Sequence, residues 1–417
     1  MKIISFNFHH SGGISINNNG EYIILEFERI FKKRYGGIVS TNKEAFKVKI
    51  MEVFNILKEK YNLDLNYDIC MFSKYNTGGF AIRNNMMQNA IKEIINCKDY
   101  RYYDHHHSHA ACAFYQSPYN EALIISFDGS GNDGNFNIYK GKNQEIKLIK
   151  KFDVQSFGRN YRKVAFSIKE ISKINLDKSR KNQLSYSGKL MGLCAYGNMR
   201  PEWLYDFKVL YNQLINIDGN IDNKIILSRK SFIEGNTKNI EYEGQFAYDL
   251  AATNQHFFEE YFMELTSEYI NEYNLPIVLS GGCALNVLLN EKVRLDYSNN
   301  VFIPPNPDDS GIAFGGLMIG YPSKEKVDIT YSGCPILDLE VLDEILPVFE
   351  HKIVNIQNVA ELLKKGNIIG VMQGNSEVGP RALGNRSIIC DPRFDGMKNK
   401  LNKIKNREWF RPFAPAV

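Results

Sequence analysis

Two stretches decide how this chain folds: "IISFNFHHSGGISINNNGEYIILEFE", Ile3 to Glu28, and "IISFDGSGNDGNFNIYKGKNQEIKLIKKF", Ile124 to Phe152. Each opens with an apolar IISF run and passes through a small, polar, Gly-rich turn into a second short strand. Each then has a second turn (NNNG, KGKN) and a third strand. Short β-branched runs bounded by Asn/Gly clusters are the pattern of a β-meander. Two unrelated hairpins would satisfy a four-residue match. The more specific reading is a duplicated α/β domain, each half opening with a hairpin whose Gly-rich turn faces a shared cleft. Such turns can aim backbone N–H groups at phosphate.

Working outward, Thr41–Tyr61 has helical apolar spacing through Phe46, Val48, Ile50, Val53, Phe54 and Leu57. Gly244–Asn274 reads as a long amphipathic helix, with apolar residues every three to four positions. "LPIVLSGGCALNVLLN" reads as strand, Gly-Gly turn and helix. "NVFIPPNPDDSGIAFGGLMIGY" reads as strand, polar loop and small-residue helix. A boundary is expected around Tyr321–Asp328, where "YPSKEKVD" is polar and contains Pro. Beyond it, "VAELLKKGNIIGVMQG" reads as helix, Gly cap and strand. The layout expected is that of actin-like, sugar-kinase-like nucleotide-binding folds: residues 1–325 as two duplicated halves, the second starting near 121, then a smaller α/β domain over 326–417.

The 417 residues carry 51 Lys+Arg against 47 Asp+Glu, a net charge of +4. That excess is too small to argue for nucleic acid or membrane as the main partner. The seven cysteines are scattered, odd in number and form no C-x-x-C, which suits reduced thiols. The opening MKIISFNFHH lacks the apolar core of a signal peptide, and no apolar run approaches the ~20 residues of a membrane helix. A soluble, cytoplasmic protein is expected.

Four of the eight histidines fall within "DHHHSH", Asp104–His109. Asp104 is a good N-cap and "SHAACAFY" favours helix, so His105 and His109 would share one face. Imidazoles one turn apart can chelate a divalent ion, and such ligands suit Fe, Zn, Ni or Cu more than Mg or Ca. His106 and His107 point elsewhere. A surface histidine tract is the competing reading. Asp128, ending the IISFD strand, and Asp309, in "PNPDDSGIAFGG", are carboxylates that could complete a ligand set. Asp308 and Asp133 are further possibilities. The turn "LSGGCALN" could hold a phosphate or ribose at a helix N-terminus, or be a tight turn only, with Cys283 packed. "SGKLMGLCAYG" sets Lys189 between glycines. It reads equally as a nucleotide contact or as a tight loop with a solvated lysine.

Taken in order, "EFERIFKKRYGG", "DHHHSHAACAF", "SFDGSGNDG", "SGKLMGLCAYG", "LSGGCALN", "PPNPDDSGIAFGG", "QGNSEVGPRALGNRSIICDPR" and "NREWFRPFAPAV" resemble the O-carbamoyltransferase family. That family acts on nodulation factors and on antibiotics such as tobramycin, novobiocin and cephamycin. Its members resemble a fusion of an actin-like transferase with a YrdC-like module that makes carbamoyl-adenylate. The transferase is like the one that forms threonylcarbamoyl-adenosine in tRNA. The resemblance implies a two-step reaction, in which ATP (with Mg²⁺) and carbamoyl phosphate give carbamoyl-adenylate and the carbamoyl group then passes to an acceptor hydroxyl.

The same resemblance puts Fe²⁺, or another divalent transition metal, on His105, His109, Asp128 and Asp309. It puts the adenylate on Lys189, Gly192, Gly281, Gly282 and Asn286, and carbamoyl phosphate on Lys405 and Arg411, with Arg381 and Arg386 as similar candidates; without the resemblance, Lys405 and Arg411 read as a merely basic helix end. Two departures stand out. Family members open with a His-Asp step in the first hairpin, whereas "NFHHSGG" has no aspartate, leaving His10 to keep the histidine role near the acceptor. Relatives also continue beyond RPFAPAV, so either this is a truncated or split gene product or the rest of a partial YrdC-like domain comes from a separate polypeptide. Sugar, aminoglycoside, nucleoside and modified-base hydroxyls all remain compatible acceptors. Competing functions are a sugar kinase or tRNA threonylcarbamoyl transferase on the same fold, and a non-catalytic nucleotide-binding remnant.

Overall fold

A computed structural model describes residues 1–75, 78–154, 157–172, 183–213, 242–297 and 300–414, and in it each IISF run is the central strand of a five-stranded sheet. The first sheet comprises β1 (Lys2–Asn7), β2 (Gly13–Asn18), β3 (Glu21–Glu26), β4 (Asn66–Ser73) and β5 (Asn96–Tyr103), in the order β3-β2-β1-β4-β5. Strands β1 to β3 form the meander, with Ile4 opposite Ile16 and Ser15 opposite Ile24. Strand β4 then pairs parallel to β1, with Ile4 opposite Cys70, and β5 pairs parallel to β4.

The second sheet repeats this plan with β6 (Glu121–Gly131), β7 (Gly134–Lys142), β8 (Glu145–Phe152), β9 (Ile277–Ser280) and β10 (Val301–Phe302), ordered β10-β9-β6-β7-β8. Ile124 lies opposite Tyr139 in the meander and opposite Val278 on the parallel side. The two halves therefore share one topology, which two unrelated hairpins would not produce.

Parallel pairs need crossover connections, and helices supply them. In the first half these are α1 (Lys43–Tyr61) and α2 (Gly78–Ile94), and α3 (His105–Gln116) follows β5. Asn42 caps α1 by accepting the Ala45 N–H, and Phe46, Ile50, Val53, Phe54 and Leu57 are buried; Val48 is exposed, off the apolar stripe. In the second half, α4 (Phe157–Val164), α5 (Tyr186–Leu193) and α6 (Gly244–Tyr273) lie between β8 and β9. Helix α7 (Val287–Asp296) joins β9 to β10, and α8 (Ile312–Gly320) follows β10. Helices α3 and α8 thus occupy equivalent places in the two halves.

Central strands buried on both faces read as continuous apolar runs, and Ile3, Ile4, Phe6, Leu123, Ile124, Ile125 and Phe127 are all fully buried. Each such side chain contributes about 1.5–3 kcal/mol of transfer free energy. Helices α3 and α8 meet backbone to backbone, because a Cβ at Gly315 would lie 1.8 Å from the Ser108 carbonyl oxygen. The small-residue run IAFGG permits this approach and brings the starts of the two helices together.

The chain divides into Met1–Val327, which holds everything above, and Asp328–Val417. The second unit contains α9 (Ile356–Lys364), begun by an Asn355–Asn358 capping box, a positive-φ Gly366, and β11 (Ile369–Met372) paired antiparallel to β12 (Arg386–Ile389). Helix α10 (Met397–Ile404) follows. Met372, Ile388, Phe394 and Trp409 are exposed in this unit. Among the described residues, no helix is long and apolar enough to cross a membrane.

Candidate metal centre

Helical periodicity brings His105 and His109 together at the start of α3, with their Nε2 atoms 3.1 Å apart. Asp128, at the end of the IISFD run of β6, and Asp309, in the turn leading into α8, complete a cluster. Asp128 Oδ2 lies 3.5 Å from His105 Nε2 and 3.3 Å from His109 Nε2. Asp309 Oδ1 lies 3.6 and 3.5 Å from the same two atoms. One donor atom from each residue falls within 4.8 Å of all the others, and no other such metal-binding group occurs among the described residues.

This donor set fits a metal ion. Ligand atoms about 2.1 Å from one ion stand ~3.0 Å apart at right angles and ~3.4 Å apart at the tetrahedral angle, and the separations seen here cluster about those values. The electrostatics agree. Burial opposes charge on Asp128, yet hydrogen bonds and charge from His105 and His109 hold its carboxyl well below the usual range. Asp309 is lowered too; burial again opposes, and the charges of His10 and His105 outweigh it. Burial works against protonation of His109, but the two carboxylates push it up to about 10. A cation is needed here, and proton and metal compete for the place.

Polar neighbours hold the backbone at His105, His109 and Asp309. Ser280 Oγ donates to the His109 carbonyl (2.8 Å), and Asn7 Nδ2 donates to the Asp309 carbonyl (3.0 Å). His106 is fully buried with Nδ1 against Ser126 Oγ (2.8 Å), and burial, then the neighbouring His105, lowers it to about 3. His107 stacks on Tyr139. Asp104 does not cap α3 with its side chain. The orphan N–H groups are met from the β6–β7 turn instead: Asn132 Oδ1 accepts from His105 N (2.9 Å), and Asp133 accepts from His106 N (2.8 Å) and His107 N (3.1 Å). Asp133 is therefore a cap rather than a ligand, and Asp308 is engaged with Ser310.

His10 stands beside the cluster, its Nε2 3.3 Å from Asp309 Oδ2, the oxygen turned away from the histidine pair. Its side chain is 48% exposed, so it borders both the centre and solvent. His9 is buried against Tyr75, and burial, then His10, lowers it to about 4.

The residues expected to hold nucleotide are dispersed over several elements. Gly281 (φ 92°) passes so close to β6 that a Cβ would sit 2.2 Å from the Phe127 carbonyl oxygen, and a Cβ on Gly282 would press on Asp128 Oδ1. Asn286 caps α7 through Leu289 N and pairs with Gln255, so its side chain serves the fold. Lys189 and Gly192 are not in a loop. They lie in helix α5, both buried, with Lys189 Nζ 5.5 Å from the Tyr186 ring centroid.

In the second unit, Arg386 Nε donates to Glu377 Oε2 (2.8 Å), and Glu377 also receives the N–H groups of Leu383, Asn385 and Arg386. Arg381 is exposed, Lys405 ends α10, and Arg411 lies 3.9 Å from Glu408. Sequence reasoning missed Asn132 and Asn7 and offered Asp133 as a possible ligand instead of a cap, because a polar letter at a strand end or in a Gly-rich turn carries no pointer to its partner.

Comparison with known proteins shows the family of the chain. A nodulation protein of Sinorhizobium fredii, NolNO, is 31% identical over 334 residues, covering 75% of this chain and 46% of its own length. The 3'-hydroxymethylcephem-O-carbamoyltransferase of Streptomyces clavuligerus is 28% identical over 249 residues, covering 57% of this chain and 45% of its own. The chain thus spans about half the length of these two relatives. Among solved structures, T. kodakarensis HypF aligns over 78% of this chain and 48% of its own, at 13% identity and TM-score 0.43. The family model described as carbamoyltransferase C-terminus matches residues 360–417. The model described as carbamoyltransferase N-terminus matches residues 6–318, a span that contains all four donors, and the chain belongs to the carbamoyltransferase family.

Proposed function

We propose that this protein is an ATP-dependent O-carbamoyltransferase that passes a carbamoyl group from carbamoyl-adenylate to a hydroxyl of a small-molecule, sugar or nucleoside acceptor. The observation that carries the reading is the His105–His109–Asp128–Asp309 cluster inside the matched N-terminal region. The imidazole–carboxylate donor set favours Fe²⁺ or another divalent transition metal over Mg²⁺. Bound there, the ion would serve as a Lewis acid toward the carbamoyl carbonyl.

The chain's own residues supply the rest. His10, half-exposed and with Nε2 3.3 Å from Asp309 Oδ2, would take the proton of the acceptor hydroxyl as its oxygen bonds the carbamoyl carbon. The bond from that carbon to the phosphate oxygen breaks, and AMP leaves. The Gly281–Gly282 turn lies against Asp128, where the Gly282 N–H can meet the adenylate phosphate, the Gly281 N–H being taken by the Pro307 carbonyl. Lys189, Gly192 and Asn286 would line its outer part.

The actin-like architecture of the first unit and the YrdC-like character of the second belong to the same proposal. So does adenylate formation in the second unit from ATP, with Mg²⁺, and carbamoyl phosphate held by Arg381, Arg386, Lys405 and Arg411. The two-stranded sheet and exposed Met372 and Ile388 support completion of this unit by further polypeptide, as an open, apolar edge invites pairing. The test supplies metal-loaded protein with preformed carbamoyl-adenylate and a panel of hydroxyl acceptors. Carbamoylated product with stoichiometric AMP is expected. Phosphorylated acceptor from ATP and Mg²⁺ alone would refute the reading in favour of a kinase.

A further inference from the structure

Helix α4 carries the sequence FGRNYRKV, with Phe157, Asn160, Tyr161 and Val164 buried. Helical spacing leaves Gly158, Arg159, Arg162 and Lys163 together on the other side. Gly158 sets that side against the turns of the metal centre. A Cβ there would lie 2.5 Å from Cys283 Sγ, 3.1 Å from Gly129 N and 3.2 Å from the Asp128 carbonyl carbon. Arg159 reaches over the first turn, Nη2 donating to Ser130 Oγ at 2.7 Å. Lys163 is half-buried, and burial, then Arg159 and Arg162, lowers its ammonium to about 8. No acidic group among the described residues offsets that shift.

Three cations within one and a half turns repel one another, and an anion between them relieves the repulsion. A divalent ion held there would be charge-balanced by its two carboxylates, leaving little net positive charge for a phosphate. A phosphate bound beside it needs cations from elsewhere, and the side of α4 that meets the Asp128–Ser130 and Gly281–Cys283 turns offers them. We propose that Arg159 and Lys163, with Arg162 beside them, form the phosphate subsite for a nucleotide whose reactive end lies at the His105–His109–Asp128–Asp309 centre. Arginine's planar fork and lysine's point charge together suit a tetrahedral dianion. The inference rests on the carbamoyl-adenylate reading and names the groups that would neutralise its phosphate.

The test compares adenosine with AMP by titration calorimetry on the full, metal-loaded chain. The wild type should bind AMP roughly 10-fold or more tightly than adenosine, as charge-assisted bonds to phosphate require. Arg159→Gln/Lys163→Gln should bring that ratio close to unity, leaving adenosine affinity, metal content and melting temperature unchanged. Arg159→Lys/Lys163→Arg should retain most of the preference. An undiminished ratio in the double glutamine variant overturns the inference and leaves carbamoyl transfer standing. Failure of the wild type to bind either ligand overturns both. Should the double variant not fold, Lys163→Gln alone should lower the ratio by about 3-fold, and no change in it is equally fatal.

Discussion

Replacing Asp309 by Asn changes charge at nearly constant shape, and its effect on metal binding can be worked from the geometry. Asp309 Oδ1 lies 3.5 Å from His109 Nε2. At that distance and an effective dielectric of about 20, a unit charge pair is worth about 5 kcal/mol. A divalent ion carries twice the charge, but desolvation of the buried carboxylate takes back several kcal/mol. A net loss of about 3 kcal/mol, or roughly 100-fold in affinity, follows. The fold should survive, because Asn7 holds the backbone carbonyl of residue 309 and not its side chain. The assay is competition with a chelator of known affinity, run beside thermal melts. Wild-type affinity in a folded Asp309→Asn variant would show that the fourth donor is not Asp309.

Asp133→Ala removes the acceptor for two N–H groups at the start of α3. It should cost about 1–2 kcal/mol in chemical denaturation and loosen metal binding through His105. Gly315→Ala puts a methyl group 1.8 Å from the Ser108 carbonyl and should destabilise by about 3 kcal/mol or more by forcing α8 from α3; calorimetric melting tests this. Glu377 lies under an opposing burial effect, but backbone N–H groups and Arg386 hold its carboxyl down at about 2. Its folded pKa is depressed, so its stabilisation is complete above the unfolded carboxyl range and is lost as pH falls toward 2. Melts of wild type and Glu377→Gln should therefore converge as pH drops from about 5 to 2; a constant gap would contradict the assignment.

Much of the first unit was legible because its signals are local. The period of a helix fixes His105 against His109, and the IISF repeat marks the two central strands. The partners that orient those histidines were not legible. Asp104 looks like the cap of α3, yet Asn132 and Asp133, reached across about 27 positions, do the capping. The strand pairing of the second half places that turn over the helix start, and no local pattern encodes it. Lys189 shows the opposite failure. Gly188 and Gly192 weaken helix propensity, but burial of Tyr186, Leu190 and Leu193 holds the segment helical. Asn7 and Asp309, 302 positions apart, meet only because the two halves close on one another.

The proposed chemistry turns on a single metal held by four named side chains. Crystals of the purified protein, measured at the absorption edge of the metal found by elemental analysis, test that claim most directly. About one transition-metal ion per chain is expected, with its anomalous peak among His105 Nε2, His109 Nε2, Asp128 and Asp309 and absent from a His105→Ala/His109→Ala variant. A peak elsewhere, or a full complement of metal retained by that double variant, would contradict it.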